Sequence, residues 1–370
     1  MQIHAFKYIL VNWVFPIFTL LGLVSSCSLT RNFENKVHPT SSYPTDVDCI
    51  VCERILLFQK IKELVSQKIW INKNQNPKEL PLLYFNHQHT YFAFIKNGQK
   101  LPYSFEIIDC GQGIQLLKTK RIDSQPFHME NKMDFNDSSS IFYQSPMMLC
   151  SDVETLHKMV TEFKHTEQWL QLVMHEYFHC YQFSHSPYLN FLADTIQQAA
   201  DTLDQIYLET SWFKNDLELE NEALLKAISA KKDSIDYFVQ DFLRIRKHRR
   251  NKFQSLNGTD ISPLENFWET TEGTARYVEY YLAGHFNQIS IHQKIQCDSL
   301  FNQFRDYKVS IHFEDRGESI QRTKMMQAYY YVTGFNLCRL MDKMNIPYQR
   351  ELFNQPNKGL YEIFLDFQKQ

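Results

Sequence analysis

Apolar positions along the chain follow three successive patterns. Between about residues 49 and 70, Ile55, Leu56, Phe58, Ile61 and Leu64 recur at helical rather than alternating spacing, which predicts a helix. Over residues 80–149 the runs become short, aromatic and β-branched: LPLLYFN, TYFAFIK, SFEIID, GIQLLKT and SIFYQSPMML, divided by turn-like NHQHT, NGQK and CGQG. They predict a small, mostly antiparallel sheet. His87 and His89 lie in one of those turns and read as a polar hairpin tip rather than a metal-binding pair. Beyond residue 150 helical periodicity takes over. Leu192, Ile196, Ala199, Ala200, Leu203, Ile206 and Tyr207 share one face, and Ile235, Phe238, Val239 and Phe242 repeat at i, i+3, i+4 and i+7. The fold class is therefore α+β, with a β-rich part over 49–150 and a predominantly helical part over 151–370.

The N-terminus departs from all three patterns. After Lys7 the apolar run YILVNWVFPIFTLLGLVSS has the length of a signal-peptide core, and residues 1–26 are expected to be removed. The run ends in Val24-Ser25-Ser26-Cys27, which resembles the lipobox of bacterial lipoproteins. That resemblance implies a lipid on Cys27 and an exported, membrane-anchored protein facing the periplasm or the cell exterior. An uncleaved anchor helix is the alternative, and it too exports the rest of the chain. Residues 27–48, polar and rich in Ser, Thr and Pro, read as a tether.

Composition adds three points. Only 10 Gly and 12 Pro in 370 residues fit a helix-rich chain with few tight turns. A formal net charge of −3 gives no polyanionic partner, and the basic stretch RIRKHRRNK at 244–252 reads as a solvated helix terminus, so no nucleic acid is expected. Of eight cysteines, Cys27 carries the lipid, and the odd remainder argues against a disulfide framework. Cys49 and Cys52, a lone C-x-x-C, are expected as a local disulfide or two partly buried thiols.

The candidate chemistry lies in VMHEYFHCYQFSH, residues 173–185. His175, Glu176 and His179 form H-E-x-x-H, in which two histidines a helical turn apart can reach one zinc ion. Glu176, about a hundred degrees round the helix, stands beside that ion as a general base. Leu170, Val173, Met174, Tyr177, Phe178 and Tyr181 surround the motif, as on a helix buried on most sides. Ionisable groups there are costly unless paired or metal-bound.

Two residues compete to be the third ligand. His185 stands at the metzincin spacing, but the position where that pattern has its turn-forming glycine is Gln182. The rival is Glu272 in WETTEGTARYVEY, which resembles the glutamate helix of the gluzincins, in particular the zinc aminopeptidases. The resemblance implies that Glu272 ligates zinc, with Glu269, one turn earlier, as a supporting residue or alternative ligand. Gly273 and Ala275 are expected to let this helix approach the His175 helix closely. Downstream, AYYYVTGFNLCRLMDKM at 328–344 resembles the tyrosine-bearing helix of the same enzymes, which implies Tyr331 as the oxyanion donor, with Tyr330 as the fallback.

This resemblance covers three patches within residues 170–345 and makes the helices of 188–256 an insertion between the two zinc-bearing helices. Met129-Glu130-Asn131 has the letters of the family's G-x-M-E-N strand, yet lies far upstream and is read as unrelated. Ile141–Leu149 is instead expected as the edge strand that pairs with extended substrate. The expectation is a zinc-dependent metallopeptidase acting on a peptide or protein substrate. The alternative is a non-catalytic lipoprotein whose peptidase-like cleft binds peptide or glycan.

Overall fold

The computed structural model describes residues 46–70, 80–95, 101, 103–122, 125–132, 147–161, 163–185, 187–188, 209–289, 295–304, 326–355 and 358–369. The signal peptide, Cys27 and most of the tether lie outside these residues, as does part of the expected insertion. Among the described residues no helix is long and apolar enough to cross a membrane. The chain divides into two compact units. One runs to Ile61, resumes over Lys78–Cys180 and takes in Ser290–Arg305; the other comprises Lys62–Pro77, Tyr181–Ile289 and Asp306–Gln370. The fold is α+β, with one six-stranded mixed sheet in the N-terminal half.

Helix α1 (Asp46–Lys68) opens with Asp46 and Asp48, acidic groups that suit the positive end of the helix dipole. Its first residues replace the last three of the expected tether. Val51, Ile55, Phe58, Ile61 and Val65, three or four apart, are buried along one stripe. Six strands follow: β1 (Leu82–Phe85), β2 (His89–Ala93), β3 (Glu106–Asp109), β4 (Gln115–Lys120), β5 (Met129–Lys132) and β6 (Met147–Ser151). Their order is β3-β4-β2-β1-β6-β5. Only β1 and β6 pair in parallel; the other pairings are antiparallel. At the β1–β2 hairpin tip, Asn86 Oδ1 accepts the Gln88 and His89 N–H groups at 2.9 and 2.7 Å.

Period-two alternation gives the sheet two different faces. Leu83, Phe85, Phe92, Met147 and Leu149 form an apolar cluster with Leu101, flanked by Tyr103, Phe105, Leu117 and Ile122. The opposite face carries Tyr84 and Tyr91 against helices. Tyr84 sits edge-on to Trp169 at 5.7 Å and accepts a hydrogen bond from Arg54 of α1 at 2.9 Å. Tyr91 donates to the buried Asp48 at 2.9 Å, and Lys118 reaches the same carboxylate at 2.8 Å. Strand β6 runs directly into α2 (Val153–Met159), whose N-cap Asp152 accepts the Thr155 N–H at 2.8 Å.

Helix α3 (Thr166–Phe183) carries the H-E-x-x-H motif, and its start is pinned by the 295–304 segment. Thr166 Oγ1 donates to Asp298 at 2.6 Å, while Glu167 Oε1 accepts the Asn302 and Phe304 N–H groups at 2.8 and 2.9 Å. Two disulfides hold α1: Cys49–Cys297 fastens it to this segment, and Cys52–Cys110 to the residue after β3. A local Cys49–Cys52 link is thereby excluded. Three apart on one helix, the two thiols lie on one side and diverge to separate partners.

In the second unit, α4 (Ser211–Ser229) and α5 (Ile235–Asn257) form an antiparallel pair joined by a short 3₁₀ turn, Lys232–Ser234. Then come α6 (Ser262–Trp268), a π-helical segment Glu269–Gly273, α7 (Thr274–His285), α8 (Met326–Lys343) and α9 (Leu360–Gln368). The basic stretch is solvated only in part: Arg244, Lys247 and His248 are exposed. Arg246 and Arg249 have no exposed surface and continue the buried stripe of Val239, Phe242 and Phe253. Arg246 pairs with Glu220 and Glu269, Arg249 with Glu220 and Glu265, and Arg250 with Glu265 at 2.6 Å. Three guanidinium groups thus meet three buried carboxylates. Arg249 and Arg250 hold the Glu265 carboxyl well below its ordinary range, although burial alone would raise it.

Candidate metal centre

On α3, residues four apart share a face, and His175 and His179 turn their rings toward one point. Their Nε2 atoms are 3.1 Å apart, with ring planes at 81°. Two nitrogens each ~2.0–2.1 Å from a tetrahedral zinc ion stand about 3.3 Å apart, close to the separation of this pair. Glu176 presents Oε1 at 3.9 Å from His175 Nε2. Its other oxygen, Oε2, accepts a hydrogen bond from Asn131 Nδ2 at 3.0 Å. All three motif residues are buried. Their side-chain nitrogen and oxygen atoms lie within 4.8 Å of one another, two imidazoles of the kind a zinc ion takes with a carboxylate close beside them.

Packing fixes this helix face from behind. Trp169 Nε1 donates to the Ser151 carbonyl at 2.8 Å, and the Tyr177 hydroxyl bonds the backbone of Leu80 while its ring meets Phe58 edge-on at 5.0 Å. Among the described residues one other group has metal-ligand chemistry: Cys49, Glu53 and Cys297. It is a disulfide beside a carboxylate that already accepts the Gln296, Cys297 and Asp298 N–H groups, so it offers no thiolate to an ion.

The strand beside Glu176 differs from the one expected. Met129-Glu130-Asn131 is β5, the last described strand of the sheet on the β6 side, with Asn131 opposite Met148. Within the Ile141–Leu149 stretch, residues 147–149 belong to β6, which is covered on both sides by β1 and β5 and is not an edge. Residues 141–146 lie outside the description. Chain distance concealed the relation: the stretch between β5 and β6 intervenes in sequence but not in the sheet.

The remaining candidates belong to the second unit. Glu269 is fully buried and committed. Its carboxylate accepts from both Nη atoms of Arg246, one at 2.9 Å, and from Thr333 Oγ1 at 2.5 Å. Glu272 lies one turn on in the π-helical segment, a backbone form concentrated at functional positions. Gln182, at the metzincin glycine position, continues the helix instead of leaving it. Its Nε2 donates to the Thr271 carbonyl at 2.8 Å and to Thr274 Oγ1 at 2.7 Å. Tyr188 bonds Thr271 Oγ1. Burial pushes the Tyr188 phenol far up, and the Glu272 charge pushes it the same way. His185 follows the end of α3, with Nδ1 2.8 Å from the Tyr181 carbonyl and its ring among Tyr181 and Phe353.

Gly273 serves a different contact from the one expected. A Cβ there would collide with the backbone of Gly334, and one on Gly334 with the Glu269 carbonyl, so the paired glycines let α8 lie directly on the π-helical segment. Tyr330 is committed to the ion cluster, its hydroxyl donating to Glu265 Oε1 at 2.7 Å. The Tyr331 ring carries the Arg276 guanidinium over it at 5.5 Å. No family model matches this chain, and no curated protein or solved structure is similar enough to it to count as a match.

Proposed function

We propose that the chain is an exported, lipid-anchored zinc metallopeptidase of gluzincin type. The observation that carries the reading is the pair of imidazole nitrogens 3.1 Å apart with a buried carboxylate held beside them. His175, His179 and Glu272 hold the ion. The sequence resemblance assigns Glu272, and two observations within the second unit disfavour its rivals. Glu269 is spent on Arg246 and Thr333. Gln182, at the position of the metzincin glycine, is held in the helix by the carbonyl of Thr271, so the turn that would bring His185 round is missing.

Zinc held by these residues would supply Lewis acidity, which is what lowers the pKa of a water to near neutrality. Glu176 accepts the proton of the attacking water and returns it to the leaving amine, a role that contributes on the order of 10²–10⁴-fold. Tyr331, assigned by the sequence resemblance, donates to the developing oxyanion; the fallback Tyr330 gives its hydroxyl to Glu265. Strand β5 lies beside the base, as an extended substrate would require. Two disulfides agree with export to an oxidising compartment, where such links persist. The lipid on Cys27 rests on the sequence alone.

Glu176→Gln tests the reading, because the amide keeps shape but accepts no proton at neutral pH. The variant should keep bound zinc and lose hydrolysis of any peptide the native protein cleaves. Near-normal turnover would contradict the mechanism. A native protein that binds zinc and retains peptides without cutting any would instead establish the binding-lipoprotein alternative.

A further inference from the structure

We infer that Asn131 is a positioning residue for Glu176: it fixes which carboxylate oxygen faces the metal position and keeps the base from becoming a ligand. The inference rests on the metallopeptidase reading of the same site. It starts from the division of labour between the two oxygens. Oε2 accepts the Asn131 amide at 3.0 Å, while Oε1 lies 3.9 Å from His175 Nε2. A glutamate next to a ligand histidine has enough side-chain freedom to swing either oxygen onto a cation. A hydrogen bond to one oxygen removes that freedom and leaves the other as the proton acceptor.

The donor sits on a rigid element. Asn131 pairs opposite Met148 and Met129 opposite Cys150, so strand alternation sends Met129 and Asn131 to one face and Glu130 to the other. Met129 is buried on the face it shares with Asn131, which anchors that side of the strand. Glu130, on the other face, lies with Oε1 3.5 Å from His128 Nδ1. An amide on a hydrogen-bonded strand is held more accurately than one on a loop. A side-chain amide also suits the task, because it donates without bringing a charge to a cation site.

The test uses the metal-loaded protein and four variants: Asn131→Ala, Asn131→Asp, Glu176→Gln and the double variant Asn131→Ala/Glu176→Gln. Asn131→Ala should keep about one zinc per chain and a KM within about twofold, with kcat falling roughly 10–100-fold, the usual effect of removing a residue that orients a site group. Asn131→Asp, nearly isosteric but without a donor at neutral pH, should lose at least as much. The readout independent of turnover is the visible d–d spectrum of the cobalt(II)-substituted protein, which reports ligand number and kind. Asn131→Ala should alter that spectrum as Glu176 reaches the ion. The double variant should match Glu176→Gln.

Wild-type kcat in Asn131→Ala or Asn131→Asp, or an unchanged cobalt spectrum in Asn131→Ala, would overturn the inference. So would loss of metal or fold in Asn131→Asp, since that would make the residue a packing element. A native protein that binds metal but cleaves nothing would sink the peptidase reading alone, because the cobalt comparison still reports on Asn131. A native protein that binds no metal would end both.

Discussion

Glu269→Ala separates a structural carboxylate from the proposed metal ligand Glu272, one helical turn away. Glu269 has no exposed surface, and its oxygens take both Nη atoms of Arg246 and the Thr333 hydroxyl. Truncation leaves Arg246 leaning on Glu220 alone and Thr333 without this acceptor. Breaking a buried ion pair from one side costs about 3–5 kcal/mol, chiefly because the surviving charge stays desolvated. For a unit of ~150–250 residues each kcal/mol moves Tm by about 2–4 °C, so a drop of roughly 6–20 °C is expected. Calorimetry on the zinc-loaded protein reads the shift, and metal analysis below the transition should still find about one zinc per chain. Arg246→Met/Glu269→Leu, which removes both charges, should cost less than Glu269→Ala alone. An unchanged Tm with lost zinc would refute the reasoning and move the ligand to Glu269.

Two further outcomes concern the cross-links and the buried ion cluster. Cys52→Ser/Cys110→Ser removes a cross-link spanning 58 residues, worth about 4 kcal/mol by chain entropy; urea unfolding should show a loss of that order, and an unchanged midpoint would contradict it. Glu265 has its folded pKa depressed below the ordinary 4.5 by Arg249 and Arg250, so it contributes stability above pH ~4.5 that is lost as pH falls toward the folded value. The stability gap between native protein and Glu265→Gln should therefore shrink below pH ~4.5, and a gap constant from pH 7 to pH 3 would refute the assignment.

Where the chain was legible, local periodicity did the work. The helix at 46–68, the hairpin β1–β2 and the H-E-x-x-H helix each follow from spacing within a few residues. What escaped depended on distant partners. Arg246 and Arg249 look like solvent charges until Glu220, Glu265 and Glu269 arrive from other helices. Their spacing relative to Phe242 and Phe253 was the available signal, since all four fall on one helical stripe. Cys49 and Cys52 look like a local pair until Cys297 and Cys110 are brought to them. Strand β5 is four residues with two charges, too short and polar to announce itself, and its link to Glu176 exists only in the sheet. Gln182 gave a correct negative signal against the metzincin turn, but its bonds to Thr271 and Thr274 could not be read from spacing.

The central claim is the identity of the metal and its ligands, and metal stoichiometry tests it most directly. Purified protein lacking residues 1–27 should bind about one zinc per chain. His175→Ala, His179→Ala and Glu272→Ala should each lose most of it while keeping their circular dichroism, which must be recorded because a site that unfolds loses metal for another reason. His185→Ala and Glu269→Gln should retain it. Native protein without zinc, or a folded His185→Ala variant that loses metal beside a Glu272→Ala variant that keeps it, would contradict the account.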